Sequence, residues 1–162
     1  MSVDKYRTQN GIKWFYNIYI GVDKSRLVKR GFETKKDALN AERAVKLKLL
    51  NNSFVFPSKK TLSEYLDYYL SSNEGTSSPN WLKRQTQHVQ KLKEGLGHHK
   101  ISKLTEEDVL KYRRQAILSA APKTINDRIA LLKRALTKAV QLKIIEHNPI
   151  IYLEKLMVIE NE

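Results

Sequence analysis

The hydrophobic positions of this chain follow two periods, a two-residue alternation near the N-terminus and a helical spacing after residue 60. Residues 13–20 are rich in aromatic and β-branched residues, which predicts a β-strand whose side chains alternate between two faces. One face carries Trp14, Tyr16, Ile18 and Ile20, and the other carries Lys13, Phe15, Asn17 and Tyr19. Asn10-Gly11 predicts a hairpin turn before this strand, and Asp23-Lys24-Ser25 predicts a turn before a third strand over residues 26–32. The pattern therefore predicts a three-stranded antiparallel sheet.

One helix is predicted to follow the sheet. Thr34 is placed to cap it, with Asp37 three residues later in the acidic capping position. Its apolar positions are Ala38, Ala41, Val45, Leu47 and Leu49 or Leu50, and it is predicted to end at Asn51-Asn52. Because one helix covers only one face of a small sheet, the face that carries Phe15 and Tyr19 is predicted to stay open to solvent or to a ligand.

A linker is predicted over residues 53–60, and the apolar residues then recur at helical spacing. Capping or proline signals mark three helix starts, at Thr61–Glu64, Pro79 and Thr105–Asp108, and a fourth helix is predicted from about Thr124, after Pro122 breaks the chain. Asn148-Pro149 is predicted to close this unit, and residues 150–157 to add a short final helix. The predicted fold class is α+β, with a sheet-plus-helix domain over residues 1–52, the linker, an all-α four-helix domain over 61–150 and a tail over 151–162.

The net charge of the chain indicates a function in addition to a fold. The chain has 30 Lys and Arg against 17 Asp and Glu, a net charge of +13, where a small soluble domain manages with about 2 to 8. Such an excess attracts polyanions, and nucleic acid is the first candidate. Residues 1–52 hold +7 of it, from twelve basic and five acidic residues.

Other classes of protein fit the sequence poorly. The chain has no Cys, which excludes disulfides, thiolate zinc sites and cysteine nucleophiles. Its first residues lack the apolar run of a signal peptide, and charged residues interrupt every candidate membrane span. We therefore expect a soluble cytoplasmic, nucleoid-associated protein with no membrane partner.

Cations, an amide and flat rings share the open face of the predicted sheet. A β-ribbon can enter the DNA major groove, where Asn reads adenine and Arg or Lys reads guanine. The alternative is that Phe15 and Tyr19 pack on the linker and the lysines only confer solubility. The candidate DNA contacts of this unit are Lys13, Phe15, Asn17, Tyr19, Arg26, Lys29 and Arg30.

Two helices and a loop of the helical unit also carry basic residues away from their apolar stripes. A charge run on one helix is usually a solvated face, but two basic helices with a basic loop favour phosphate contacts. The candidates are Lys83, Arg84, Gln87, His98, His99, Lys100, Lys123, Thr124, Asn126, Lys133 and Arg134.

No recognisable catalytic arrangement accompanies these residues. Tyr65 and Tyr69 lie on apolar helical stripes, and the adjacent pair His98-His99 lacks the spacing of metal ligands. The acids of residues 106–108 are ordinary for a first helical turn. We therefore predict a non-enzymatic chain with no metal and no cofactor.

Several short motifs resemble phage and mobile-element integrases, which are tyrosine site-specific recombinases. Residues 31–38, after the Trp14-x-Tyr16-x-Ile18 strand, resemble the arm-binding domain of these proteins. The helical unit resembles their SAM-like four-helix core-binding domain. The matching pieces, in the family's order, are Leu96-Gly97-His98-His99-Lys100-Ile101, Leu104–Val109, Pro122–Asn126 and Ala139–Pro149.

This resemblance implies two DNA-binding modules with different targets. The sheet is expected to bind arm-type sites and the helical unit the core site, with the family's catalytic domain lying beyond the chain. Double-stranded DNA is the expected partner, and other integrase protomers or a recombination directionality factor are further candidates. Two alternatives stay open: a stand-alone regulator derived from an integrase, acting as repressor, antagonist or architectural factor, and a module whose basic faces bind an acidic protein.

Overall fold

A computed structural model describes residues 2–20 and 25–159 of the chain. The chain divides into two compact units between Phe54 and Val55. This division falls inside the segment that the sequence predicts as a linker. The first unit contains a sheet and one helix and the second is helical, which confirms the predicted α+β class.

The sheet of the first unit has three antiparallel strands in the order β1-β2-β3. They are β1 (Val3–Thr8), β2 (Gly11–Ile20) and β3 (Ser25–Phe32). Thr8 pairs with Gly11, so the hairpin loop consists of Gln9 and Asn10, one residue earlier than Asn10-Gly11. Of that pair only Gly11 has a positive φ, +117°, and its lack of a Cβ makes this backbone easy to adopt. The other predicted turn includes Asp23 and Lys24, which lie outside the described residues.

Strand register decides which side chains share a face. Phe15 pairs with Arg30, and Tyr19 pairs with Arg26. The register between β2 and β3 shifts by one residue beside Trp14 and Phe15, where Gly31 takes a φ of +98°. Such a bulge increases the local twist of the strand.

A single helix covers one face of this sheet. It is α1 (Lys35–Leu50), and the side chain of Thr34 caps it by accepting a hydrogen bond from the backbone N–H of Asp37. The buried core between helix and sheet contains Val3, Tyr16, Ile18, Ile20 and Ala38, with Trp14, Leu27, Phe32, Leu39, Ala41, Val45, Leu49 and Phe54 packed around it. Leu47, predicted as an inward position, is 60% exposed, because residue 47 falls outside the stripe through 38, 41, 45 and 49.

The second unit is built from four α-helices and one short 3₁₀ helix. They are α2 (Leu62–Ser72), α3 (Pro79–Leu96), the 3₁₀ helix Ile101–Lys103, α4 (Glu106–Ala116) and α5 (Pro122–Gln141). The predicted capping boxes are present at α2 and α4, where Thr61 pairs with Glu64 and Thr105 with Asp108. Both hydrogen bonds of Thr105 lower the pKa of the Asp108 carboxyl.

One hydrophobic core joins the four helices. Its fully buried members include Leu62, Leu66, Leu92, Val109, Ile125, Leu132 and Leu136. Tyr65 is also fully buried, and its hydroxyl donates a hydrogen bond of 2.6 Å to the backbone carbonyl of Ala135 in α5. A buried hydroxyl needs such a partner to offset its lost hydration.

The chain after α5 differs from the sequence-based expectation. No helix forms over residues 150–157, which make a turn and then a segment without regular secondary structure. Asn148 holds the turn, because its Oδ1 accepts from the backbone N–H of Ile150 while its Nδ2 donates to the Lys133 carbonyl and the Thr137 hydroxyl on α5. Side chains of α4 and α5 bind the backbone of residues 153–156, so these residues do not continue as a helix. Ile117 lies just beyond α4, which ends at Ala116, and is 49% exposed. In the described part of the chain, no helix combines the length and apolarity needed to cross a bilayer.

Candidate nucleic-acid interface

The sheet face opposite α1 carries arginines stacked on aromatic rings. The guanidinium carbon of Arg26 lies 5.3 Å from the ring centre of Tyr19, and that of Arg30 lies 5.9 Å from the ring centres of both Tyr6 and Phe15. Tyr6 and Phe15 meet edge to face at 6.0 Å. We call these five residues the stacked face. The chemistry of the stacked face suits a polyanion with flat bases, because the cations stay charged and the rings stay accessible.

Tyr6 is not among the DNA contacts predicted from the sequence. The signal that could have found it is the hairpin, which places Tyr6 directly opposite Lys13 and therefore on the same face as Phe15. Period-two alternation within β1 alone is too short and too polar to identify its inner face.

Three predicted contacts of the sheet unit are not part of the stacked face. Lys13 forms an ion pair with Glu33, so its charge is already partly neutralised. Asn17 is half-buried, and among the described residues its Oδ1 is buried without a hydrogen-bond partner. Lys29 pairs with Tyr16 and so belongs to the face that α1 covers, although its own side chain is exposed.

A basic groove of about 400 Å³ runs between α3 and α5. Arg84 and Arg134 line it from the two helices, together with Asn80, Trp81, Gln85, His88, Asp127 and Ala130. Gln85 is 6% exposed, and its Oε1 lacks a hydrogen-bond partner among the described residues. Burial, with Arg128 and Arg84 nearby, lowers the pKa of His88 although Asp127 opposes the shift, which favours the neutral ring. The positive charge of this groove therefore comes from its arginines.

The other candidates that face solvent surround this groove or lie in the loop after α3. Lys83, Gln87, Lys100 and Lys123 are exposed, and Thr124 is half-buried. The rings of His98 and His99 stack with centres 4.2 Å apart, and Nδ1 of His99 lies 3.9 Å from a carboxylate oxygen of Asp108. No group of three or more His, Asp and Glu side chains in residues 2–20 and 25–159 is arranged to hold a metal ion.

Asn126 and Lys133 have a different task from the arginines of the groove. Nδ2 of Asn126 donates to the backbone carbonyl of Leu156, and its Oδ1 accepts from the N–H of the same residue. Lys133 donates to the carbonyl of Leu153, and Arg113 on α4 donates to that of Glu154. These bonds hold residues 153–156 against the helices. Because both side chains are engaged in this way, we leave Asn126 and Lys133 out of the interface.

Removing the side-chain amide of Asn126 is expected to detach residues 153–156 from the helices. In Asn126→Ala the N–H of Leu156 loses its acceptor, so its amide hydrogen should exchange with solvent at least about fivefold faster, as expected for a lost hydrogen bond worth about 1 kcal/mol or more. Amide hydrogen exchange followed by NMR measures this directly. Asp127→Ala, at the next and exposed position of α5, is the matched control. Equal protection of Leu156 in both variants would contradict the assignment.

A family comparison identifies the helical unit. The family of phage integrase N-terminal domains matches residues 58–157, well over half of the chain. The chain belongs to this family. The match extends through the segment that Asn126 and Lys133 hold, so that segment is part of the integrase N-terminal domain. No curated protein matches the chain in sequence.

Solved integrase structures share this fold. The chain is similar to lambda integrase in a dimer bound to a COC' core site, with a TM-score of 0.57 and 14% identity over 93% of this chain and 44% of that chain. Lambda integrase in a tetramer bound to a Holliday junction gives 0.55 and 14%, over 93% and 46%. An integrase-like domain from Bacillus cereus gives 0.55 and 22%, over 66% and 92%. The chain thus spans less than half the length of lambda integrase.

Proposed function

We propose that this integrase N-terminal domain binds double-stranded DNA through two surfaces, in support of site-specific integration and excision by a tyrosine recombinase. The observation that carries the proposal is the stacked face, where two arginines rest on aromatic rings with Tyr19 62% exposed. A twisted ribbon of this kind fits the major groove, and its stacked cations keep their N–H groups available for phosphates and base edges.

The basic groove between α3 and α5 is the second proposed surface. Arg84 and Arg134 project from neighbouring helices, and the exposed Lys83, Gln87 and Lys123 extend the surface along them. Each phosphate that such a surface neutralises releases condensed counterions, which favours binding without any base contact. This surface therefore supplies affinity, while the sheet supplies sequence preference.

We propose different DNA targets for the two surfaces, arm-type sites for the sheet and core-type sites for the helical unit. The structural neighbours support a recombination context, since their descriptions name a core site and a Holliday junction. They also describe a dimer and a tetramer, which supports other integrase protomers as partners. We further propose that a recombination directionality factor is a partner of the chain and that the chain resides on the nucleoid.

Mobility-shift titrations of the full chain on the two ends and the core of its element test this division. We expect Tyr19→Ala with Arg26→Ala to weaken binding to arm-type DNA, and Arg84→Ala with Arg134→Ala to weaken binding to core-type DNA. Each double change should cost about tenfold or more on its own target and little on the other. Lys155→Ala removes an exposed cation outside both surfaces and serves as the control.

Two results would overturn the proposal. Absence of any shift with duplex DNA at low salt excludes DNA binding. Equal loss on both DNAs for both double variants excludes two separate surfaces.

A further inference from the structure

The side chain of Arg30 crosses the open face of the sheet instead of leaving it at the edge. Arg30 lies on β3, an edge strand, whereas Phe15 lies on the central strand β2 and Tyr6 on the far strand β1. Its guanidinium carbon nevertheless lies within 5.9 Å of the ring centres of both Phe15 and Tyr6. The cation is therefore held above the middle of the sheet by residues of the other two strands.

The contacts of Arg30 leave its hydrogen-bond donors available. Tyr6 and Phe15 present rings inclined at 69° to each other, and a guanidinium has five N–H donors, more than contact with two rings occupies. Among the described residues, no carboxylate forms a salt bridge with Arg30, whereas Lys13 on the same face is paired with Glu33. Arg30 is exposed, and no ion pair within residues 2–20 and 25–159 compensates its charge.

We propose that Arg30 reads a guanine in the major groove and that Tyr6 and Phe15 are positioning residues that orient its guanidinium. This inference rests on the proposed function. When a ribbon enters the groove, the middle of its face comes nearest to the base edges, while its rims come nearest to the phosphates. The planar fork of Arg matches the O6 and N7 acceptors of guanine, and orientation before binding lowers the entropy lost on contact.

Arg26 provides the matched comparison on the same face. Among the described residues it lies over Tyr19, its direct partner in the β-ladder, on a part of β2 with which β1 does not pair, so it lies toward the end of the three-stranded face. We assign Arg26 to a phosphate. Arg26→Ala should then weaken binding to all duplexes that the sheet binds, whatever their base sequence, whereas Arg30→Ala should change the preference at one base pair.

Binding-site selection with the full chain, followed by titration on the selected duplex, tests the assignment. The native chain should select a guanine that Arg30→Ala no longer selects, and Arg30→Lys should lose most of the preference because it lacks the fork. Replacing that guanine by 7-deazaguanine, which lacks N7, should weaken the native chain about tenfold and leave Arg30→Ala unchanged. Phe15→Leu, which keeps apolar volume without the ring, should reduce the same preference and spare general affinity.

The possible failures are distinguishable. If the chain does not bind duplex DNA at low salt, the proposed function fails. If it binds DNA but selects no guanine, or if Arg30→Ala keeps the guanine preference, the assignment of Arg30 is wrong and DNA binding stands. A 7-deazaguanine effect that persists in Arg30→Ala assigns the base contact to another residue and likewise overturns the inference.

Discussion

Raising the salt concentration from 50 to 200 mM is expected to weaken duplex DNA binding about a thousandfold. This figure follows if the chain neutralises about six phosphates, because the slope of log affinity against log salt is then about −5. The net charge of +13 and the exposed cations around Arg84 and Arg134 make this number of contacts reasonable. Fluorescence anisotropy with a labelled duplex, repeated at four or five salt concentrations, measures the slope.

Variants of the groove test which residues produce the salt dependence. Arg84→Ala with Arg134→Ala should make the slope less steep by about two, since each lost phosphate contact removes about 0.9. Asp127→Ala changes the charge of the same groove in the other direction and should not reduce the slope. A native slope flatter than about −2 would contradict a phosphate-binding surface of this size.

Truncating Tyr65 is expected to unfold the helical unit at much lower temperature. Tyr65→Ala removes a fully buried ring and the bond from its hydroxyl to the carbonyl of Ala135, at a cost of about 3–5 kcal/mol. For a unit of this size, the Tm should fall by more than about 10 °C. Calorimetry or circular dichroism at the helical band gives the value. Tyr68→Ala, an exposed position on the same helix, should cost less than about 1 kcal/mol.

Tyr65→Phe keeps the buried ring and removes the hydroxyl, so it isolates the effect of this hydroxyl on the pH dependence of stability. Burial raises the pKa of the Tyr65 hydroxyl above its ordinary value of about 10, with Tyr69 and Tyr68 acting in the same direction. A raised pKa in the folded state means that this contribution to stability is complete below about pH 10 and is lost as the pH rises above it. The native chain should therefore lose stability above pH 10 more steeply than Tyr65→Phe. Parallel curves for the two proteins would show that Tyr65 ionises equally in the folded and unfolded states.

Local signals predicted the secondary structure well where the backbone itself carries the information. The capping boxes at Thr61 and Thr105 and the first-turn proline at position 79 were predicted correctly, because a cap needs only residues within one turn. The fourth helix begins at Pro122 and not near Thr124 as predicted. The hairpin was predicted one residue late, since Asn-Gly suits both turn positions of one hairpin type but only Gly11 takes a positive φ here. The final helix over 150–157 was wrong because Arg113, Asn126 and Lys133, which are distant in sequence, bind the backbone of residues 153–156.

The candidate interface also depends partly on local sequence patterns and partly on contacts between distant residues. Polar positions off the apolar stripe of α5 look equivalent in sequence, yet Arg134 lines the groove toward α3 while Asn126 and Lys133 hold the C-terminal segment. Helical spacing separates a buried stripe from the rest, but it does not say which neighbour each remaining face meets.

The sequence by itself determined the two units, the open sheet face and the surplus of positive charge, because alternation, helical spacing and composition are local or additive properties. Only the tertiary structure decided how that charge is used. Arg30 reaches Tyr6 because the strands pair in one register, and Lys133 is engaged because the chain returns along α5. Such contacts join residues far apart in sequence, so they depend on packing that no local pattern encodes.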